Sequence, residues 1–334
     1  MDPRAQQLER WLTRQLQTTP EQITPVAGDA SFRRYFRVQY DGDTFIAMDA
    51  PPEKEDCHPF LAIARRWHQA GIHVPQILHA DIAQGFLLLE DMGDDLYLPQ
   101  LEESRDPGAL YRPALETLAR IQGIPAPVDY ALPPYDDALL DREMNLFRDW
   151  LVKGALELAL SSTEEALIDT TFAFLREAAL AQPVVTVHRD YHSRNLLVTT
   201  ENTPGVLDFQ DAVSGPVTYD LVSLLKDCYI SWPKAQRQAW MEEFRLLSRD
   251  AGHHHADADT FTQWFELMGM QRHLKAAGIF ARLSRRDGKH GYLNDIPRTL
   301  NYLTAACEEQ PALRSFRDWL EDRVLPQLHR LEAA

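Results

Sequence analysis

The stretch VTVHRDYHSRNLLVTTENTPGVLDFQDA, from Val185 to Ala212, decides how the rest of the chain is to be understood. Val184, Val185 and Val187 read as one strand, and Leu196, Leu197 and Val198 as another. Glu201-Asn202-Thr203-Pro204-Gly205 is a turn that leads into Val206-Leu207-Asp208. A plain β-hairpin with a charged loop would account for that much. It leaves unexplained why His188-Arg189-Asp190 is followed five residues later by Asn195, and why the next strand ends on Asp208, thirteen residues further on. The pattern predicts three acid or amide side chains converging on one point.

The spacing H-R-D-x-x-x-x-N, followed by a strand-borne D-F-x, resembles the catalytic loop and metal-binding strand of the protein-kinase fold. The resemblance implies that Asp190 takes the proton of an attacking hydroxyl, and that Asn195 and Asp208 hold Mg²⁺ on ATP. Gln210 stands where protein kinases carry Gly.

The 334 residues suffice for two lobes with cores of their own, and 45% hydrophobic with 25% charged content is ordinary for a globular chain. Cys57, Cys228 and Cys307 are few, odd in number and far apart, which suits a reducing compartment and suggests no disulfide framework. MDPRAQQLERWLTRQL lacks the apolar run of a signal peptide. No later segment reaches the ~18 continuous apolar residues of a membrane span, so a cytoplasmic protein without membrane partners is expected. The formal charge of −16 argues against nucleic acid as a partner, because that affinity comes from Lys and Arg.

Leu8, Trp11, Leu12 and Leu16 recur at helical spacing. Phe36, Val38 and Tyr40 then alternate as in a strand, after a turn in which Gly28 and Ser31 are candidates to meet phosphates. The third strand, Phe45-Ile46-Ala47-Met48, carries Met48 where kinases place the phosphate-pairing lysine. Either Arg33, Arg34 or Lys54 supplies that charge, or phosphate binding leans on metal and backbone. The helix Phe60 to Gln69 contains no Glu to match the usual ion-pair partner of that lysine. Gly85 to Gly93 is an apolar strand ending in Glu90-Asp91-Met92-Gly93, where adenine would be read by backbone near Glu90 and Met92.

Beyond Asp94 the pattern is helical. Leu139, Leu140, Met144, Phe147 and Trp150 mark one helix, whose Glu143 is a candidate for holding substrate hydroxyls. Leu167, Phe174 and Leu175 mark the next. Tyr191 and His192 are further substrate candidates. Asp220 reads as support for a helix N-terminus, and His253-His254-His255 as a solvated loop and not a metal site. Arg285 to Tyr292 is a basic, glycine-containing loop.

With G-P-V-T-Y-D-L (215–221) added, the chain resembles the aminoglycoside-phosphotransferase-like branch of the protein-kinase fold over nearly its whole length. Residues 29–37 (DASFRRYFR), 48–53 (MDAPPE) and 290–298 (HGYLNDIPR) look more narrowly like the anomeric N-acetylmuramate/N-acetylglucosamine kinases of bacterial cell-wall recycling. The resemblance implies an α+β, bilobal, protein-kinase-like fold with a β-rich N-lobe at 1–93 and a helical C-lobe at 94–334. It also implies ATP and an amino sugar as partners, with the sugar phosphorylated at its anomeric hydroxyl. In that narrower group Met48 is the expected residue. A kinase for an aminoglycoside or choline-like cation, and a silent ATP-binding module, are the competing expectations.

Overall fold

In the computed structural model, which describes residues 2–26, 32–201 and 203–331, the alternating segments near the N-terminus form an antiparallel sheet. Its strands are Gln22–Val26 (β1), Arg34–Tyr40 (β2), Asp43–Asp49 (β3), Ile77–Asp81 (β4) and Phe86–Glu90 (β5), in the order β1-β2-β3-β5-β4. The helix Pro3–Leu16, capped by the Asp2 carboxylate on the Arg4 amide, buries Leu8, Trp11 and Leu12 against Val38, Ala47, Phe86 and Leu88. This apolar layer holds β2, β3 and β5 in register.

The chain divides into two units. One comprises Met1–Gln100, Ile124–Leu132 and Arg194–Ala212; the other comprises Leu101–Gly123, Pro133–Ser193 and Val213–Ala334. Residues 194–212, the second half of the decisive stretch, therefore group with the N-terminal sheet. A plain hairpin is not what forms. Val184–Val187 pairs with Val213–Pro216, whereas Leu196–Leu197 pairs with Gly205–Val206.

The second unit is built on the helix Ala258–Asp287, which is buried nearly all round. It crosses the helix Asp137–Leu146 where that helix opens into a π-helical segment, Phe147–Ala155. Gly278 sits at the crossing, and a Cβ there would fall on the Leu146 carbonyl and the Phe147 amide. Neither backbone group can move aside. Gly278→Ala is therefore expected to cost about 3 kcal/mol and to lower Tm by roughly 4 °C in a chain of this length. Calorimetry showing wild-type melting would mean that the helices part without penalty.

In the helix Ser162–Leu180 the buried stripe is Ile168, Thr171, Phe172, Leu175 and Ala179, so Leu167 and Phe174 lie off its centre. His254 is buried instead of solvated: its Nε2 meets the Arg245 carbonyl oxygen at 3.1 Å, and its Nδ1 accepts from the Ala256 amide. His253 reaches the Ala119 carbonyl oxygen at 2.8 Å.

Candidate active site

In the helical unit, the loop that follows Val184–Val187 is held at both ends by buried carboxylates. Asp220, at the start of the helix Tyr219–Leu225, accepts the His188 amide at 2.6 Å and the Arg189 amide at 2.9 Å. Its support is for the loop, a role that its place in a helix first turn did not reveal. Asp227 accepts Ser193 N at 3.0 Å, Ser193 Oγ at 2.6 Å and Tyr229 N at 2.8 Å. Between these clamps Arg189 takes φ 79, in the left-handed region that non-glycine residues seldom occupy. The Asp190 amide donates to His188 Nδ1 at 3.2 Å.

Asp190 and His192 line a cavity with Tyr219, Cys228, Tyr229, Arg272, Lys275, Ala276, Ile279 and Phe280. Burial alone would push the Asp190 carboxyl up, but the charges of Lys275, Arg189 and Arg272 hold it down at about 2. It is ionised at neutral pH. Lys275 Nζ donates to Tyr219 Oη at 2.9 Å and meets Glu143 Oε1 at 3.3 Å. Although burial lowers it, the Lys275 ammonium ends above its ordinary value because of Glu143.

Glu143 itself is 3% exposed, and its carboxylate accepts from Tyr135, Arg189 and Gln271 as well as Lys275. It is a buried hub and does not line the cavity. Tyr191 is also buried, with its hydroxyl donating to the Ala114 carbonyl oxygen at 2.8 Å. Of the three substrate candidates read from sequence, the structure brings only His192 to the cavity wall.

In the sheet-bearing unit, the Leu207 amide donates to the Asn195 carbonyl oxygen at 2.9 Å, so Asn195 and Asp208 end neighbouring strands. Phe209 is fully buried against Phe60 and Trp67, at ring distances of 4.9 and 5.7 Å, which anchors the Asp208 backbone at φ 60. Gln210 Nε2 donates to Asp208 Oδ1 at 2.7 Å. A half-buried carboxylate and a half-buried amide at adjacent strand ends are hard oxygen donors. They fit Mg²⁺, which takes one or two carboxylates and completes its shell with water and phosphate.

Gly28 and Ser31 lie outside the described residues. Met48 is buried, facing Tyr35 and Leu87 in the sheet, so no cation stands at that position. Arg34 is committed to the carboxylates of Asp2 and Asp49, which Arg4 shares at 2.7 Å, and Arg33 lies 3.8 Å from Glu55. The Glu90 carboxylate meets His73 at 3.2 Å and accepts the Gln76 amide at 3.1 Å. Met92 packs toward Gly205. Sequence reasoning passed over Arg37, which forks onto Asp91 at 2.6 Å and Asp94 at 2.7 Å and fixes the chain as it leaves β5. It also passed over Arg272, Lys275, Tyr219 and Tyr229. The available signal was the cluster Gln271-Arg272-His273-Lys275 inside an otherwise apolar helical segment.

Burial lowers two histidines of the helical unit, His192 to about 4 and His273 to about 3. Both values lie below the unfolded value of about 6.5. Their stabilisation is therefore complete above that value and is lost as pH falls toward the folded values. Asp220, raised by burial to about 6, acts in the opposite sense between that value and about 3.9. Two groups outweigh one, so the urea midpoint is expected to be lower at about pH 5 than at about pH 7.5. An equal or higher midpoint in acid would contradict the assigned burial.

Solved structures share this fold. A choline/ethanolamine kinase family protein from Mesorhizobium loti superimposes with TM-score 0.61 at 14% identity, over 94% of this chain and 93% of that one. Spectinomycin phosphotransferase, in complex with ADP and spectinomycin, gives 0.60 at 14% identity, over 98% and 97%. The chain has their α+β, protein-kinase-like fold. The chain belongs to the phosphotransferase enzyme family, whose model matches residues 22–245. It is 44% identical over 323 residues to the N-acetylmuramate/N-acetylglucosamine kinase of Pseudomonas putida KT2440, covering 93% of this chain and 94% of that one. Against the N-acetylmuramate/N-acetylglucosamine kinase of Neisseria meningitidis serogroup B it is 43% identical over 301 residues, covering 89% of each. No helix among the described residues is long and apolar enough to cross a membrane.

Proposed function

We propose that the protein is a cytoplasmic kinase that moves the γ-phosphoryl group of ATP onto the anomeric hydroxyl of N-acetylmuramate and N-acetylglucosamine. The product would be the sugar α-1-phosphate, for peptidoglycan recycling. The observation that carries this reading is the 44% identity, over nearly the full length of both chains, to a kinase named for those two sugars. Asp190, ionised and opening onto a cavity, orients the acceptor hydroxyl and receives its proton as the new bond forms. Asn195 and Asp208 would hold Mg²⁺, which when bound neutralises charge on the phosphate oxygens. His192, neutral at physiological pH with Nδ1 buried and without a protein partner among the described residues, would hydrogen-bond the acceptor.

A cationic acceptor such as an aminoglycoside or choline is disfavoured by the cavity itself, where a single carboxylate, Asp190, faces Arg272 and Lys275. The test is ATP consumption with Mg²⁺ against N-acetylmuramate, N-acetylglucosamine, an aminoglycoside, choline and no acceptor. Turnover of the two sugars with phosphate on C1 is expected. Turnover of the cations alone would discard the substrate reading, and ATP binding without any turnover would favour a silent nucleotide-binding module.

A further inference from the structure

We infer that Arg272 is the residue that receives the anionic group of an acidic acceptor, the carboxylate of N-acetylmuramate, and so sets the preference between the two sugars. The inference rests on the sugar-kinase reading above. Arg272 is 6% exposed and lines the same cavity as Asp190. Its guanidinium donates to two neutral groups, Ser223 Oγ and, at 3.6 Å, Cys228 Sγ. Among the described residues no carboxylate oxygen lies within 4.0 Å of its nitrogens.

The other buried cations nearby are balanced differently. Lys275 meets Glu143 at 3.3 Å, Arg189 meets the same carboxylate, and Lys226 meets Glu266 at 2.5 Å. Asp190 and Asp227 act on Arg272 only from beyond contact distance, so its buried charge has no ion pair of its own to offset the loss of water. A protein that holds such a charge beside its reacting carboxylate is complementary to an anion. Two anions could come there, the transferred phosphoryl group and a carboxylate on the acceptor.

The position of Arg272 favours the acceptor. It stands one turn from Lys275 on the helix Ala258–Asp287, which continues along the cavity wall through Ile279 and Phe280. Tyr229 and Phe280, 6.1 Å apart, add aromatic faces on which a sugar ring can rest. All these residues, like Asp190, belong to the helical unit, whereas Asn195 and Asp208, the proposed metal ligands, belong to the other.

The experiment is steady-state kinetics of the full chain at saturating Mg·ATP with each sugar, for the wild type, Arg272→Gln and Arg272→Lys. For Arg272→Gln, kcat/KM for N-acetylmuramate is expected to fall about 100-fold, chiefly through KM, as loss of a buried charge-assisted contact implies. The loss in kcat/KM for N-acetylglucosamine should be at least about ten-fold smaller than that for N-acetylmuramate, and a wild-type circular-dichroism spectrum and melting curve show that the variant is folded. Arg272→Lys should fall between the two. The methyl ester of N-acetylmuramate should lose with the wild type what the acid loses with Arg272→Gln, and should lose no more with the variant. Equal loss on both sugars would assign Arg272 to the phosphoryl group or to architecture and overturn the inference; no loss on either would overturn it too. If the wild type phosphorylates neither sugar, the sugar-kinase reading fails first and this inference with it.

Discussion

Asp190→Asn is expected to lower kcat by about 10²–10⁴-fold while leaving KM for ATP nearly unchanged. The substitution keeps the shape of the side chain and removes its capacity to take a proton. The loop should keep its course, because Asp220 and Asp227 hold it through His188, Arg189 and Ser193, and not through the Asp190 carboxylate. A carboxyl held near 2 is a weak base. On the proposed mechanism its contribution would be to align the hydroxyl and to accept the proton late, when the oxygen has become acidic through bonding to phosphorus. It follows that Asp190 should impose no acid limb on kcat above about pH 4. Turnover undiminished in Asp190→Asn would end the assignment.

Asp208→Ala should act on a different parameter, weakening Mg·ADP and Mg·ATP binding by about 100-fold or more, the upper end of what loss of even an outer-shell partner costs. Asp208 is fixed from two directions, by the Gln210 amide at 2.7 Å and by the packing of Phe209 on Phe60 and Trp67. The Gln210 hydrogen bond is lost with the carboxylate that alanine removes, but the Phe209 packing does not depend on it, so the strand end should survive. Titration with ADP in EDTA provides the control: metal-free nucleotide should bind the variant and the wild type alike. Equal affinity for Mg·ADP in both proteins would mean that the metal is held elsewhere.

Much of this was legible in the sequence because it is written in local patterns. Strand alternation around Val38, the apolar run before Glu90 and the spacing of Asp190, Asn195 and Asp208 depend on residues close together in the chain. What stayed hidden depends on partners far away. Glu143 read as a candidate for holding substrate hydroxyls, yet Tyr135, Arg189, Gln271 and Lys275 converge on it from distant segments. Arg34 looked available to phosphate until Asp2 and Asp49 were seen to claim it. Arg272 and Lys275 were missed because helical periodicity assigns charges to the outside, and the helix that bears them has almost no outside. Arg37 was passed over because its partners Asp91 and Asp94 lie more than fifty residues on.

The left-handed backbone at Asp208 also bears on how this protein would respond to selection for heat resistance alone. Glycine adopts that conformation freely, whereas a side chain there costs roughly 1 kcal/mol. A screen that scored survival at high temperature and ignored turnover would therefore be drawn to Asp208→Gly, and its winners would be sturdier proteins stripped of the carboxylate proposed to hold Mg²⁺. Any thermostable version of this chain should be chosen by an activity assay run after the heating step.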